Sequence, residues 1–98
     1  MIGYRFLSVA EQDLVESMEF YESRQLGLAI RFHDELFRII LLLRNSPKIG
    51  TMIDANFRSF SLDKFPFSIV YRLEEDTLIV VAVAHQSRHP NYWHDRIQ

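Results

Sequence analysis

In the first part of the chain, the spacing of large side chains is first that of a short strand and then that of a helix. Tyr4, Phe6 and Ser8 are separated by single residues, and this period of two predicts a first strand. Apolar residues then recur every three or four positions, which predicts a first helix over residues 9–23. Ser8 and Glu11 match the Ser-x-x-Glu capping box that opens a helix. The apolar face of this helix comprises Ala10, Leu14, Met18 and Tyr21.

A second helix is predicted over residues 28–44, after a turn at Gly27 that makes the two helices an antiparallel hairpin. Its main apolar stripe comprises Ala29, Phe32, Leu36, Ile40 and Leu43. Ile30, Phe37 and Leu41 form a second stripe on a neighbouring face. In so small a chain we expect this second stripe to be buried within the fold, and the alternative is an exposed surface for a partner.

The second half of the chain reads as a meander of strands. A loop at residues 45–50 leads to predicted strands at 57–62, 67–73 and 78–84. The last of these is continuously apolar, which is typical of a central strand that is buried on both faces. The fold class is therefore α+β: a strand, a helical hairpin, then a three-stranded antiparallel meander.

The turn between the last two strands sets which side chains share a face. A three-residue turn at residues 74–76 pairs Leu73 with Thr77 and Tyr71 with Ile79, so that the bulkier faces coincide over the helices. The opposite, lighter face then comprises Val70, Arg72, Val80 and Ala82. A two-residue turn is the alternative, and it would turn the last strand over. We prefer the three-residue turn.

Composition and charge exclude several classes of protein. The 98 residues, 48% hydrophobic and 24% charged, suit one globular domain over residues 1–98, in which residues 85–98 form a polar, aromatic tail. The net charge is −2, whereas a protein that binds nucleic acid usually carries a basic surface. Cysteine is absent, and no signal peptide or membrane-spanning stretch is apparent. We expect a cytoplasmic protein without a cofactor.

Four stretches of the chain resemble the ParE/RelE superfamily of toxins from type II toxin–antitoxin modules, and its ParE branch in particular. They are Ala10-x-x-Asp13-Leu14, residues 21–32 with their Gly27-Leu28-Ala29 turn, Phe57-Arg58-Ser59-Phe60 leading into residues 65–71, and His85-x-x-Arg88-x-Pro90-x-Tyr92-Trp93-x-x-Arg96. Such proteins are often labelled plasmid stabilisation proteins. The resemblance implies a helical hairpin packed on an antiparallel-dominated sheet, and a cognate antitoxin whose C-terminal segment wraps and silences the toxin.

The resemblance leaves two toxic actions open, because RelE-like members cleave mRNA in the ribosome whereas ParE-like members inhibit DNA gyrase. Cleavage through the 2′-hydroxyl requires a base, a cation for the phosphate and an acid for the leaving oxygen. The candidates are Arg58 and Arg72 for the phosphate, and His85, Arg88 or Tyr92 for proton transfer. The acidic net charge does not suit ribosome docking, so we favour target binding over cleavage.

Each candidate also has a purely structural interpretation. Arg58 is suited to pair with Asp54 or Asp63, and Arg72 with Glu74 or Glu75. For His85 we favour a role at the edge of the core that holds the tail. Tyr92 and Trp93 are expected to fold the tail onto the sheet. A metal site at His85, His89 and His94 is disfavoured, because no geometry of acids and histidines supports it.

The sequence therefore predicts a toxin that binds a cellular target and is neutralised by an antitoxin. By resemblance, the target surface is the tail, with Arg88, Tyr92, Trp93 and Arg96. The predicted antitoxin surfaces are the second helical stripe and the lighter sheet face, comprising Ile30, Phe37, Leu41, Val70, Arg72 and Val80. A homodimer through the same surfaces, a RelE-like endoribonuclease and a degenerate, non-toxic member are the alternatives.

Overall fold

The computed structural model describes residues 1–89 and 91–97, so Pro90 of the predicted tail motif and Gln98 lie outside the described residues. The elements are β1 (Gly3–Phe6), α1 (Ser8–Arg24), α2 (Leu28–Asn45), β2 (Thr51–Met52), β3 (Arg58–Ser61), β4 (Phe67–Glu74), β5 (Thr77–His85) and a 3₁₀ tail helix (Tyr92–Ile97). They form one five-stranded sheet in the order β1-β5-β4-β3-β2. β1 runs parallel to β5, and every other pairing is antiparallel. The predicted α+β class is confirmed, with the short β2 as an added strand.

The helical hairpin forms as its apolar periods predict, although its caps differ. α1 begins at Ser8 with Leu7 as its N-cap, and no side chain caps it, so the predicted capping box is wrong. The reason is that the Leu7 amide continues the pairing of β1 by donating to the Val80 carbonyl at 3.0 Å. Gly27 adopts a left-handed φ of 86° at the turn, which glycine tolerates without steric cost.

The main core lies between the two helices and one face of the sheet. Phe32 is fully buried, and its ring centroid lies 5.0–5.2 Å from those of Tyr21, Phe65 and Phe67. The predicted α1 face and the main α2 stripe supply most of the helical side of this core. Each large apolar side chain that is fully buried contributes roughly 1.5–3 kcal/mol, so these stripes fix the helices on this face.

The β4–β5 hairpin differs from its predicted register. Glu74 pairs with Thr77 across a two-residue turn, so Leu73 faces Leu78 rather than Thr77 and Tyr71 faces Val80 rather than Ile79. The tight turn forms because Glu75 accepts a left-handed φ of 52°, a conformation that is uncommon for a residue other than glycine. A bulge next to Val70 and Tyr71 then shifts the pairing by a further residue.

This register overturns the predicted composition of the lighter face. Val80 is fully buried among the helix-side residues of the main core. Val70 lies on the opposite face, but it is buried in a second cluster with Phe57, Val81, Ala82 and Trp93. The tail helix supplies Trp93 to this cluster, so the chain itself covers the middle of that face.

The predicted burial of the second α2 stripe is wrong. Ile30 is 56% exposed and Leu41 is 48% exposed, whereas Phe37 is half-buried against β1. The physical reason is that the single sheet lies on one side of the helical hairpin, and no other element of the described chain covers the outer side of α2. Ile30 and Leu41 therefore lie on the outer surface of the helical hairpin.

Candidate functional site

The tail begins with a turn that His85 organises. The Nδ1 atom of His85 accepts a hydrogen bond from the Ser87 amide at 3.0 Å and lies 2.7 Å from the Ser87 hydroxyl. The ring packs edge-on against Phe67, with centroids 5.0 Å apart. The Gln86 amide donates to the Pro66 carbonyl at 2.8 Å. The predicted role of His85 at the edge of the core, holding the start of the tail, is confirmed.

The ring of Tyr92 contacts two guanidinium groups, and we call Arg88, Tyr92 and Arg96 the tail stack. The Cζ atom of Arg88 is 4.2 Å from the ring centroid of Tyr92, and that of Arg96 is 5.2 Å away. Such cation–π contacts are worth about 0.5–2 kcal/mol each. Arg88 and Tyr92 border a depression that is also lined by Asp13, Glu16, Ser17 and Phe20 of α1.

The electrostatics of the tail stack keep the Tyr92 hydroxyl neutral. Burial raises the pKa of Tyr92, and the nearby charge of Asp13 raises it further, while Arg96 and Arg88 partly oppose this shift. A phenol with a raised pKa donates hydrogen bonds at neutral pH but is a poor general base. Tyr92 is thus suited to contact a partner rather than to abstract a proton.

The guanidinium of Arg96 is held by the carboxylate of Asp13 on α1. Its Nη1 and Nη2 atoms donate to the two oxygens of Asp13 at 2.7 and 2.9 Å, and Nη1 also lies 3.2 Å from the Val81 carbonyl oxygen. Both side chains are largely buried, with 18% and 15% exposure. The hydrogen bonding of Arg96 to the Asp13 carboxylate is the main cause that raises the pKa of Arg96. Asp13 therefore anchors the tail.

The four residues predicted for target binding occupy different environments. Arg88 is exposed, and Tyr92 and Arg96 are half-buried. Trp93 is only 1% exposed, and its ring centroid lies 5.0 Å from that of Phe57. This confirms that Tyr92 and Trp93 fold the tail onto the sheet. It also places the Trp93 ring in the interior of the fold, whereas Arg88 is exposed.

The structure does not bring the predicted nuclease residues together. Arg58 and Arg72 border one depression, together with Lys48 and Glu74. Arg72 pairs with Ile79, six residues before His85 on β5, a separation of about 20 Å at ~3.3 Å per residue. His85, Arg88 and Tyr92 border a different depression.

Both arginines of the proposed phosphate site already have partners. Arg58 Nη1 donates to the carbonyls of Lys48 and Gly50 at 2.9 and 3.0 Å, so its predicted pairing with an acid is wrong. Asp63 instead binds Arg38, and Asp54 accepts the amides of its own loop. Arg72 Nε donates to Glu74 at 2.8 Å, which confirms the predicted pairing.

The predicted antitoxin residues of α2 form a continuous surface with β1. The ring centroid of Phe37 lies 6.4 Å from that of Tyr4 and 4.6 Å from the imidazole of His33, and Tyr4 is itself 40% exposed. β1 is an edge strand of the sheet, and such a strand presents backbone groups that a further strand can pair with. We call Tyr4, Ile30, His33, Phe37 and Leu41 the α2 surface.

Two residues were missed or undervalued at the sequence level. Tyr4 was assigned only to a strand, because its position beside Phe37 depends on the pairing of β1 with β5. Asp13 was noted only within a helical motif. Its one local signal is that it lies next to the apolar face of α1, at Leu14, where an unpaired acid would be poorly solvated.

Over residues 1–89 and 91–97, no group of three or more histidine, aspartate or glutamate side chains is arranged to hold a metal ion. None of the helices in the same part of the chain is long and apolar enough to cross a membrane.

Comparison with known protein families identifies the chain. The model of the family described as "ParE toxin of type II toxin-antitoxin system, parDE" matches residues 4–90, which include both helices and, apart from Gly3 of β1, all five strands. The chain belongs to the ParE toxin family. Among curated proteins, no sequence matches this ParE-family chain closely enough to count as a relative.

Solved structures share the fold of this ParE-family chain at low sequence identity. A chain of the chromosomal ParDE system from P. aeruginosa is similar with a TM-score of 0.71 at 17% identity, covering 87% of this chain and 96% of that one. The isolated E. coli RelE toxin has a TM-score of 0.64 at 19% identity, with 100% of both chains covered. A doubly substituted E. coli RelE in complex with a RelBc antitoxin peptide has a TM-score of 0.61 at 15% identity, covering 99% and 95%.

Proposed function

We propose that this ParE-family chain is a cytoplasmic toxin that arrests growth by binding a protein target, DNA gyrase, and that a cognate antitoxin neutralises it. The observation that carries the proposal is the tail stack. Arg88 is exposed, its Cζ atom lies over the ring of Tyr92 at 4.2 Å from the centroid, and it pairs with no carboxylate in the described part of the chain. A guanidinium that is oriented in advance and unpaired is suited to bind a carboxylate of a partner with little ordering cost.

Binding is favoured over RNA cleavage on chemical grounds. The phosphate-binding candidates Arg58 and Arg72 already bind partners within the chain, and the depression that they border is not the one that His85, Arg88 and Tyr92 border. The pKa of Tyr92 is raised, so its hydroxyl is harder to deprotonate and is poorly suited to act as a general base. The net charge of −2 gives no general attraction to RNA. A protein interface needs only the oriented tail and its half-buried aromatic ring.

We further propose that the antitoxin occupies the α2 surface. Ile30 and Leu41 supply apolar area at helical spacing, and the edge of β1 beside them suits a segment that adds a strand. Burial of each exposed aliphatic side chain would contribute up to roughly 1.5–3 kcal/mol. The α2 surface and the tail stack lie on different elements. An antitoxin that binds the α2 surface therefore need not make the contacts that the target makes with the tail stack.

Expression in a bacterial host tests this proposal. The chain alone is expected to stop growth, and co-expression of the protein encoded by the neighbouring small open reading frame is expected to restore it. Arg88→Ala should relieve growth arrest, whereas Arg31→Ala, which removes an exposed arginine from α2, should not. Normal growth with the unaltered chain, at verified expression, would contradict the proposal.

A RelE-like endoribonuclease is the second candidate, and one observation favours it: His85, Arg88 and Tyr92 border a single depression. Primer extension on transcripts after induction separates the two functions. Intact transcripts together with DNA breaks that depend on gyrase support target binding. Transcripts cleaved within codons on the ribosome would replace our proposal with the nuclease.

A further inference from the structure

β5 extends beyond the strand that pairs with its outer edge. The pairing of β1 with β5 ends at Phe6 and Val80, followed by the bond from the Leu7 amide to Val80. β5 continues to His85. The backbone groups of Val81 and Val83, two residues apart on an extended chain, therefore have no continuation of β1 beside them.

Beyond the end of β1, an ion pair lies beside β5 where a continued strand would lie. Asp13 Oδ2 accepts the Val83 amide at 3.0 Å, and Arg96 Nη1 lies 3.2 Å from the Val81 carbonyl oxygen. Asp13 and Arg96 bind each other through both carboxylate oxygens and both terminal nitrogens. Unpaired backbone groups at a buried edge are costly, and this pair satisfies both a donor and an acceptor. It also ties the last turn of the tail to α1 and β5.

The tail helix cannot hold its position without such anchors. It contains six residues in 3₁₀ conformation, and 3₁₀ segments of this length are not stable by themselves. Trp93 anchors its first turn in the second cluster. The Asp13–Arg96 pair anchors the next turn and holds Arg96 against the ring of Tyr92.

From this arrangement we infer that Asp13 is a positioning residue for the target-binding tail: it touches no target, but it fixes Arg96, and through Arg96 the ring of Tyr92 and the guanidinium of Arg88. The inference rests on the proposed function of the tail stack. It gives a role to the Ala10-x-x-Asp13-Leu14 motif, whose aspartate would otherwise be an acid buried beneath a short helix.

Trp93 provides a direct measure of tail docking, because it is the single tryptophan of the chain and is only 1% exposed. The variant Asp13→Asn keeps the size of the side chain and an oxygen for the Val83 amide, but it removes the charge that holds Arg96. In this variant we expect the Trp93 emission to shift to longer wavelength and its quenching by acrylamide to increase several-fold. Inhibition of the target should fall roughly tenfold or more, while the far-ultraviolet circular dichroism stays native.

The matched control is Glu19→Gln, which removes one exposed acid from the same helix and has no contact with the tail. It should leave both Trp93 quenching and inhibition unchanged. Arg96→Gln should expose Trp93 to the quencher as Asp13→Asn does, and the double variant should expose it no more than either single variant, because both changes break one interaction. Strictly additive effects would show that the two residues act separately and would overturn the inference.

Two further results would also overturn it: Trp93 as protected in Asp13→Asn as in the unaltered protein, or Trp93 released with inhibition unchanged. If Asp13→Asn fails to fold, Arg96→Gln, which leaves the Asp13 bond to Val83 in place, is judged by the same two readouts. If the unaltered protein inhibits nothing, the proposed function is wrong, whereas Trp93 quenching in Asp13→Asn still decides whether Asp13 positions the tail.

Discussion

The hydroxyl of Tyr71 on β4 binds the backbone of Gly50, 21 residues earlier in the chain, at 3.1 Å. The same hydroxyl donates to the Pro47 carbonyl at 2.7 Å. Tyr71 is fully buried, and burial is the main cause that raises its pKa. One phenol thus fastens the loop between α2 and β2 against the sheet.

This contact leaves no room for a side chain at position 50. A Cβ atom on Gly50 would lie 2.9 Å from Cε1 of Tyr71 and closer still to its hydroxyl oxygen. We expect Gly50→Ala to lower the free energy of unfolding by about 1–3 kcal/mol through overpacking. Urea denaturation followed by circular dichroism measures this. Gly3→Ala is the control, since its nearest neighbour would be 3.8 Å away, and an equal loss in both variants would contradict the steric explanation.

A buried carboxylate joins α2 to the loop before β4. Glu35 is 8% exposed, and its Oε2 atom accepts the amides of Asp63 and Lys64 at 2.6 and 2.8 Å. Glu35→Ala should cost about 1–3 kcal/mol in unfolding free energy, because two amides lose their acceptor. Arg38→Ala breaks an exposed ion pair to the same Asp63 and should cost at most ~1 kcal/mol. The reverse order in urea denaturation would contradict this assignment.

The helical hairpin should lose stability in acid through Glu22. The carboxylate of Glu22 accepts the amides of Gly27 and Ala29 at 3.0–3.1 Å, and these bonds hold its pKa below its usual value of 4.5. The unfolded chain therefore binds this proton more readily than the folded one, so the stabilisation is complete above about pH 4.5 and is lost as the pH falls through the folded pKa.

Thermal melts across this acidic range provide the measurement. Glu22→Gln should melt below the unaltered protein at neutral pH, and the difference should shrink as the pH is lowered. Glu19→Gln, an exposed acid of the same helix with no such bonds, should melt like the unaltered protein throughout. A difference for Glu22→Gln that does not depend on pH would rule out the carboxylate as its cause.

The antitoxin surface can be tested with two equally exposed side chains. Ile30 on α2 and Met52 on β2 are both 56% exposed, and Met52 lies at the opposite edge of the sheet from β1. Ile30→Glu should weaken binding of the neighbouring gene's product tenfold or more, which is ~1.4 kcal/mol or more, because a charge would be buried in the interface. Met52→Glu should not. Equal affinities by titration calorimetry would exclude the α2 surface.

Local patterns were sufficient to predict the elements of the fold. Apolar residues recur at a helical period in α1 and α2 and at a strand period in the meander, because each element buries one face. This spacing can be read directly from the sequence. The tail was also predictable in part, since Tyr92 and Trp93 are large aromatic side chains near a chain end, and such side chains pack onto their own domain.

The remaining features depend on contacts that spacing does not encode. The parallel pairing of β1 with β5 joins segments more than 70 residues apart, and the turn at Glu75 requires a conformation that its residue type does not favour. The roles of Asp13 and Tyr4 follow from those pairings. For this reason the predicted elements were largely correct, the predicted register and open sheet face were wrong, and the contact of Asp13 with the tail was not predicted.

Inhibition of DNA supercoiling by purified gyrase tests the central claim most directly. The purified chain, added in stoichiometric excess to gyrase and relaxed plasmid, is expected to block supercoiling, and Arg88→Ala is expected to be markedly weaker at the same concentration. Undiminished supercoiling at every concentration of a folded, monodisperse preparation would contradict the account.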